Sequence, residues 1–236
     1  MTPSDVAHHA ALGIPEELLT RAGVRRVTSE EAREVLGSTH RGDLAGIEYP
    51  YLDPTTGKRV TSRVRRDHPE MEDGRPKGKY LSAYGDRRHL YFAPDVSQRL
   101  ADPNVEVVLV EAEKSVLAIT AAAAQLDRPL VPIGTGGCWG WRGRIGKTVD
   151  PAGQRVDETG PLPDFDRLMW EDRDCVICFD GDAATNPSVW AARRGLAEVL
   201  IERGARVRLM DLHRKTASTA PTTSLAGMVL RPSSSY

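Results

Sequence analysis

Two aspartates stand two residues apart where an apolar run stops, Val176-Ile-Cys-Phe-Asp180-Gly-Asp182. A second run, Val105-Glu-Val-Val-Leu-Val110, stops in the same way on Glu111. Clustered carboxylates repel one another unless a cation or a proton compensates. Hard oxygen donors suit Mg²⁺, which keeps waters or substrate phosphates in its remaining positions. Side chains two apart near a strand end point the same way, so Asp180 and Asp182 can share one ion. Glu111, on a neighbouring strand, is within reach of that ion or of a reacting hydroxyl. The three acids predict a single metal-binding phosphoryl-transfer site.

The elements that must position these acids follow from the pattern around them. Runs of β-formers ending at the carboxyl edge of a sheet are where open α/β domains place ligand chemistry. Strand 105–110 leads into an alanine-rich helix, Glu113 to Gln125, and strand 129–133 runs into Gly134-Thr-Gly-Gly137. Strand 174–179 is followed by a helix from Pro187 to Arg203, with Asn186 as N-cap, Pro187 in the first turn and Gly204 as stop. Strand 206–212 completes an alternation that predicts a parallel sheet flanked by helices over residues 104–212. Upstream of the break at Asp102-Pro-Asn104, residues 1–103 read as a smaller α+β domain. Helical signals cover 4–37, and a hairpin pairs Ile47–Leu52 with Arg59–Arg65 through Asp53-Pro-Thr-Thr-Gly57. The stretch from Gly134 to Pro163 reads as a long loop, a length that usually marks function or disorder. Its Trp139 and Trp141 are equally suited to covering a sheet edge and to stacking on a substrate.

Across 236 residues the formal net charge is −1, so only local charge speaks about partners. Residues 58–89 hold ten Lys and Arg against five Asp and Glu, interleaved with Tyr80 and Tyr84. A phosphate-tracking surface with stacking platforms has that composition, and so does a solvated charged face. The nucleic-acid reading places contacts at Arg63, Arg65, Lys77, Lys79 and Tyr80, joined by Arg142 and Arg144. Three cysteines are too few for a disulfide framework. Cys175 and Cys178 form C-x-x-C, but an offset of three on a strand sends them to opposite faces, as small buried hydrophobes. No apolar run has the length of a membrane span and the N-terminus has no leader pattern, so the expected location is the cytoplasm.

Three rival motifs fail. Gly146-Lys147-Thr148 resembles the end of a P-loop, but Trp141 holds the position of its first glycine and Val149-Asp-Pro cannot open the helix. Asp180-Gly-Asp182 is similar to the nucleophile motif of haloacid-dehalogenase-like phosphatases. Those enzymes, like response-regulator receivers, need a later lysine, and none occurs between Lys147 and Lys215.

A glutamate closing one strand and a second strand ending in Asp-x-Asp together resemble the Toprim domain of bacterial primases, topoisomerases and some nucleases. Leu109-Val-Glu111-Ala-Glu113-Lys114 matches its first motif and Phe179-Asp-Gly-Asp182 its second. Lys79-Tyr80-Leu81 followed by Leu90-Tyr91-Phe92 is similar to the basic segment ahead of the primase Toprim domain in phage and plasmid proteins. The resemblance implies a Toprim-like fold with Glu111 as general acid/base and Asp180 and Asp182 as metal ligands. Lys114 would steady a phosphate, and Mg²⁺, with Mn²⁺ as its alternative, would be the cofactor. The activity implied is a primase-like nucleotidyltransferase in mobile-element DNA replication. Its partners would be single-stranded DNA or RNA, nucleoside triphosphates and a helicase. A Toprim nuclease, or a catalytically weak single-strand-binding replication accessory, are the alternatives. Two features depart from the family. Ala112 replaces the glycine expected after the motif glutamate, and no zinc-binding module precedes the catalytic part. Residues 213–236 lack periodicity and read as a disordered tail. Back-translated one nucleotide earlier, His213 to Gly227 can encode a Gly-x-Asp-Asp segment of the kind that follows the last Toprim strand, which predicts a frameshifted end.

Overall fold

A computed structural model of the chain describes residues 1–180 and 186–211. Asp182 and the tail, with the expectations attached to them, lie outside the described residues.

The N-terminal part opens with α1 (Pro3–Ala10), α2 (Glu16–Arg21), β1 (Arg25–Val27) and α3 (Ser29–Leu36). Thr2 and Thr28 start α1 and α3 by reciprocal capping boxes with Asp5 and Glu31. The helical reading of 4–37 therefore missed β1, three residues too short to show an alternation. Next come β2 (Gly46–Leu52), β3 (Arg59–Arg66), a small hairpin of β4 (Glu70–Glu72) and β5 (Arg75–Lys77), and β6 (Tyr80–Ser82). Strands β1, β2, β3 and β6 form one antiparallel sheet in that order. Its central β2 is buried along nearly its whole length.

The second part contains β7 (Tyr91–Phe92), α4 (Ser97–Leu100), β8 (Val107–Val110), α5 (Glu113–Gln125) and β9 (Val131–Gly134). Then follow β10 (Arg142–Val149), β11 (Arg155–Pro161), a 3₁₀ turn (Pro163–Arg167), β12 (Asp174–Ile177), α6 (Pro187–Glu202) and β13 (Arg206–Leu209). Five strands make the second sheet in the order β13-β12-β8-β9-β7. The first four run parallel, as expected from alternation, whereas β7 pairs antiparallel with β9. The sheet is therefore mixed rather than all parallel. Its edge strand comes from residues 91–92, upstream of the break at 102–104.

Strand alternation sorts the core into two faces. Val107, Leu109, Cys175 and Ile177 pack with Val189, Ala192, Leu196 and Leu200 of α6 on one side. Val110, Val176 and Cys178 pack on the other with Val116, Leu117 and Ala121 of α5, and with Leu18, Ile47, Tyr49 and Tyr51 of the N-terminal part. Helix α5 thus lies between the two sheets' elements, in one shared core. The two cysteines do occupy opposite faces, and burial pushes the Cys178 thiol up to about 11. Arg173 is fully buried at the entry to β12. It donates to the carbonyls of Val105, Leu100, Arg99 and Met169 at 2.7–3.2 Å, which ties the start of β8 to that of β12.

The supposed loop at 134–163 contains the β10–β11 hairpin, in register from Arg142↔Pro161 to Val149↔Arg155 with a bulge between Arg144 and Gly146. Gly146-Lys147-Thr148 lies in β10 and opens no helix.

Candidate active site and nucleic-acid interface

Strands β8, β9 and β12 end side by side, so the segments that follow them share one edge of the sheet. Glu111 follows β8 directly and Asp180 lies three residues beyond β12. A carboxylate oxygen of Glu111 accepts the backbone N–H of Asp180 at 3.0 Å. The two residues, 69 positions apart in the chain, are thereby brought together, through the backbone of Asp180. Ala112 caps α5 with φ −113° and ψ 146°. This is ordinary extended backbone, so the position makes no conformational demand for the family's glycine.

The segment after β9 closes over the same edge. The amide of Thr135 donates to the carbonyl of Val110, and that of Gly137 to the carbonyl of Glu111, each at 2.9 Å. Gly136 and Gly137 have φ of +70° and +117°, values that glycine alone adopts without strain. Space is equally restrictive. A Cβ on Gly136 would sit 2.8 Å from the Arg63 guanidinium and 3.1 Å from the Tyr51 hydroxyl.

Those two side chains belong to a buried polar network. Glu113, in the first turn of α5, is 1 % exposed. It accepts from Arg63 at 2.7 Å and from the Tyr51 hydroxyl at 2.6 Å. Arg63 also lies 4.9 Å from the centre of the Tyr80 ring. Burial lowers the arginine's proton affinity, but the Glu113 charge, Tyr51 and the hydrogen bonds to both together outweigh that and hold it firmly protonated. Burial and the same carboxylate push the Tyr51 hydroxyl well above its usual range. Arg63 therefore serves first as an internal counter-ion. Sequence reasoning placed Glu113 within the motif without giving it a role. The signal was its spacing of two from Glu111 across the strand–helix junction.

The other candidate contacts are distributed differently. Arg65 pairs across the sheet with Tyr80. The His8 imidazole is held below its usual pKa by burial first, then by neighbouring positive groups that include Lys114 and Arg65. Lys77 lies on β5 and pairs with Glu72 at 2.9 Å, both largely exposed. Lys79 is exposed. Arg142 and Arg144 sit at the base of the hairpin. The Arg142 guanidinium is 6.0 Å from the centre of the Trp139 ring and 5.6 Å from that of Trp141. Arg144 lies 3.9 Å from Asp157.

Two clefts flank this region. One of about 420 Å³ is lined by Arg63, Tyr80, Arg87, Arg88, His89 and the Thr135–Gly140 segment. The other, about 580 Å³, is lined by Arg87, Arg88, Trp139, Arg142, Arg144 and Asp157. Arg87, Arg88 and His89 were not singled out from sequence. His89 is bonded through Nδ1 to the buried Asp164 carboxylate at 3.1 Å. That bond raises its pKa against the opposing effect of burial.

Glu111 and Asp180 offer the hard oxygen donors that Mg²⁺ favours, so the described part of the site fits such an ion by donor type. Among the described residues no group of three or more His, Cys, Asp or Glu is close enough to hold a metal, and the expected third arm, Asp182, is not among them. Among the described residues, no helix is long and apolar enough to cross a membrane.

The model of a family described as "Domain of unknown function (DUF3854)" matches residues 97–218. No curated protein sequence matches. The fold is similar to that of the Aquifex aeolicus primase, crystallised as its zinc-binding and RNA polymerase domains, with a TM-score of 0.56 and 16% identity over 91% of this chain. It is also similar to the RNA polymerase domain of Mycobacterium tuberculosis primase DnaG, with a TM-score of 0.52 and 15% identity over 88% of this chain. The chain spans 51% of the former and 70% of the latter. The fold is thus primase-like, and at these identities the likeness speaks for the fold alone.

Proposed function

From a chain that belongs to the DUF3854 family and has a primase-like fold, we infer a Mg²⁺-dependent, Toprim-type nucleotidyltransferase acting on single-stranded nucleic acid. The observation that carries this reading is the hydrogen bond between the Glu111 carboxylate and the Asp180 amide, which joins two strand-end acids at the carboxyl ends of the parallel strands β8 and β12. In this reading Asp180 and Asp182 would hold the ion, with Glu111 beside them. Bound there, Mg²⁺ supplies polarisation of a phosphate and activation of an oxygen nucleophile. Glu111, oriented by the Asp180 amide, takes a proton from the attacking hydroxyl. The arginine-lined clefts next to this edge bind the polyanion, and most of the rate comes from such electrostatic positioning. Nucleoside triphosphates are the second substrate, and a mobile-element replication setting with a helicase partner is the context we propose.

Product formation on single-stranded DNA, with Mg²⁺ and with or without nucleoside triphosphates, tests this directly against Asp180→Ala. Extension needs nucleotides. Cleavage without them would assign the same acids to a nuclease, and binding with neither reaction would make the chain an accessory. An Asp180→Ala variant that keeps both its activity and its metal affinity would sink the site assignment.

A further inference from the structure

The arginine-lined clefts contain an aromatic feature that the acid edge does not require. Building on the functional reading above, we propose that Trp139 is a stacking platform for one base of single-stranded nucleic acid, with the flanking phosphates lying against Arg87, Arg142 and Arg144.

Trp139 lines both clefts and is half-buried. Its ring is held in place before any ligand arrives. Nε1 donates to the Ser188 hydroxyl at the start of α6 at 3.1 Å, and the indole stacks on that of Trp141 with centres 6.1 Å apart and planes at 28°. Trp141 is itself buried at 3 % exposure and anchors the pair in the α6 face of the core. A platform ordered in advance loses little conformational freedom on binding.

The charges around it are arranged for phosphate. Arg88 donates to the carbonyls of Trp139 and Arg142, both at 3.3 Å, and so ties segment 85–88 to the base of the hairpin. Arg87 makes no hydrogen bond or ion pair among the described residues. The larger cleft has four arginines, 87, 88, 142 and 144, against Asp86 and Asp157, a surplus of two positive charges. Asp86 is engaged by the Thr61 hydroxyl, and Asp157 is shared between Arg144 and Lys147.

A strand fits better than a free nucleotide. The two clefts share Asp86, Arg87, Arg88 and Trp139 in their linings, so they adjoin at the indole and together offer more length than one nucleotide needs. A mononucleotide pocket would instead enclose its ligand and read the base edge with convergent polar groups. Stacking on an indole accepts any base. The path also leads to the acids, because the loop between Trp139 and β9 bonds through Gly137 to the carbonyl of Glu111.

Fluorescence anisotropy with a labelled ten-residue oligothymidylate, at low salt and without Mg²⁺, reads binding apart from turnover. Trp139→Ala should weaken binding by roughly 5- to 150-fold, the usual range for one lost stack, and Trp139→Phe should keep most of the affinity. Arg87→Ala should lower the slope of log affinity against log salt by about one. Quenching of tryptophan emission by the oligonucleotide should fall in Trp139→Phe, a readout that remains if Trp139→Ala fails to fold. Wild-type binding with unchanged affinity and quenching in both Trp139 variants overturns this proposal and leaves the catalytic reading intact. No binding by the wild-type chain overturns both. Displacement of the oligonucleotide by ATP at comparable affinity would make the site a mononucleotide pocket and overturn the strand.

Discussion

The cations of the β3–β5 stretch and those around Trp139 look alike in sequence and differ in what they are free to do. In the first group Arg59 pairs with Glu48, Arg63 with Glu113, Arg66 with Glu70 and Lys77 with Glu72. Two of those acids, Glu48 and Glu113, lie outside the 58–89 window and are 1 % exposed, so counting charge within the window overstates what is available. Around Trp139, Arg87 has no such partner among the described residues, Arg142 faces two rings, and Arg144 meets Asp157 only at 3.9 Å. A local excess of basic residues is a surface for polyanions only after its internal debts of pairing are subtracted, and those depend on residues far away in the chain.

The contrast is easiest to break at Glu113. Its replacement by alanine leaves the mostly buried Arg63 charge without its carboxylate and should cost about 3 kcal/mol in urea unfolding. Replacing both Arg63 and Glu113 with apolar residues should recover most of that loss; a double variant as unstable as Glu113→Ala would mean that the pair does more than neutralise itself. Next in size is the binding difference. Arg142→Ala should weaken single-stranded DNA binding several-fold, in line with one lost phosphate contact. Lys77→Ala should leave it within about two-fold, because an exposed lysine paired to Glu72 contributes little. Equal effects from the two variants would erase the distinction drawn above.

A smaller and pH-dependent effect belongs to His89. Its folded pKa is raised above 6.5 by the bond to Asp164, so it contributes stability that is fully present below 6.5 and lost as pH rises through the folded value. Unfolding midpoints at pH 6 and pH 8 should therefore differ more in the wild type than in His89→Gln. The smallest effect expected is that of Lys77→Ala on stability, within about 0.5 kcal/mol; a larger loss would show that its ion pair with Glu72 organises the β4–β5 hairpin.

What could be read from the sequence was whatever left a periodic or punctuated trace. Strands β8 and β12, buried on both faces, appear as apolar runs, and α6 carries its cap and stop, so Glu111 and Asp180 could be placed on one edge. Hairpin β10–β11 left no such trace. Most of its residues are exposed or half-exposed, glycines 143, 146 and 160 interrupt it, and no apolar alternation exists to be counted. Strand β7 is two residues long and owes its existence to β9, a tertiary partner. The role of Glu113 was illegible for the same reason: its partners Tyr51 on β2 and Arg63 on β3 lie 62 and 50 positions away.

Helix α5 has a consequence for how the molecule can be taken apart. Leu117 and Val116 pack in the same cluster as Leu18, Leu19, Tyr49 and Tyr51, so severing the chain between residues 103 and 104 would expose apolar surface on both fragments. Each fragment should therefore be less soluble than the whole chain.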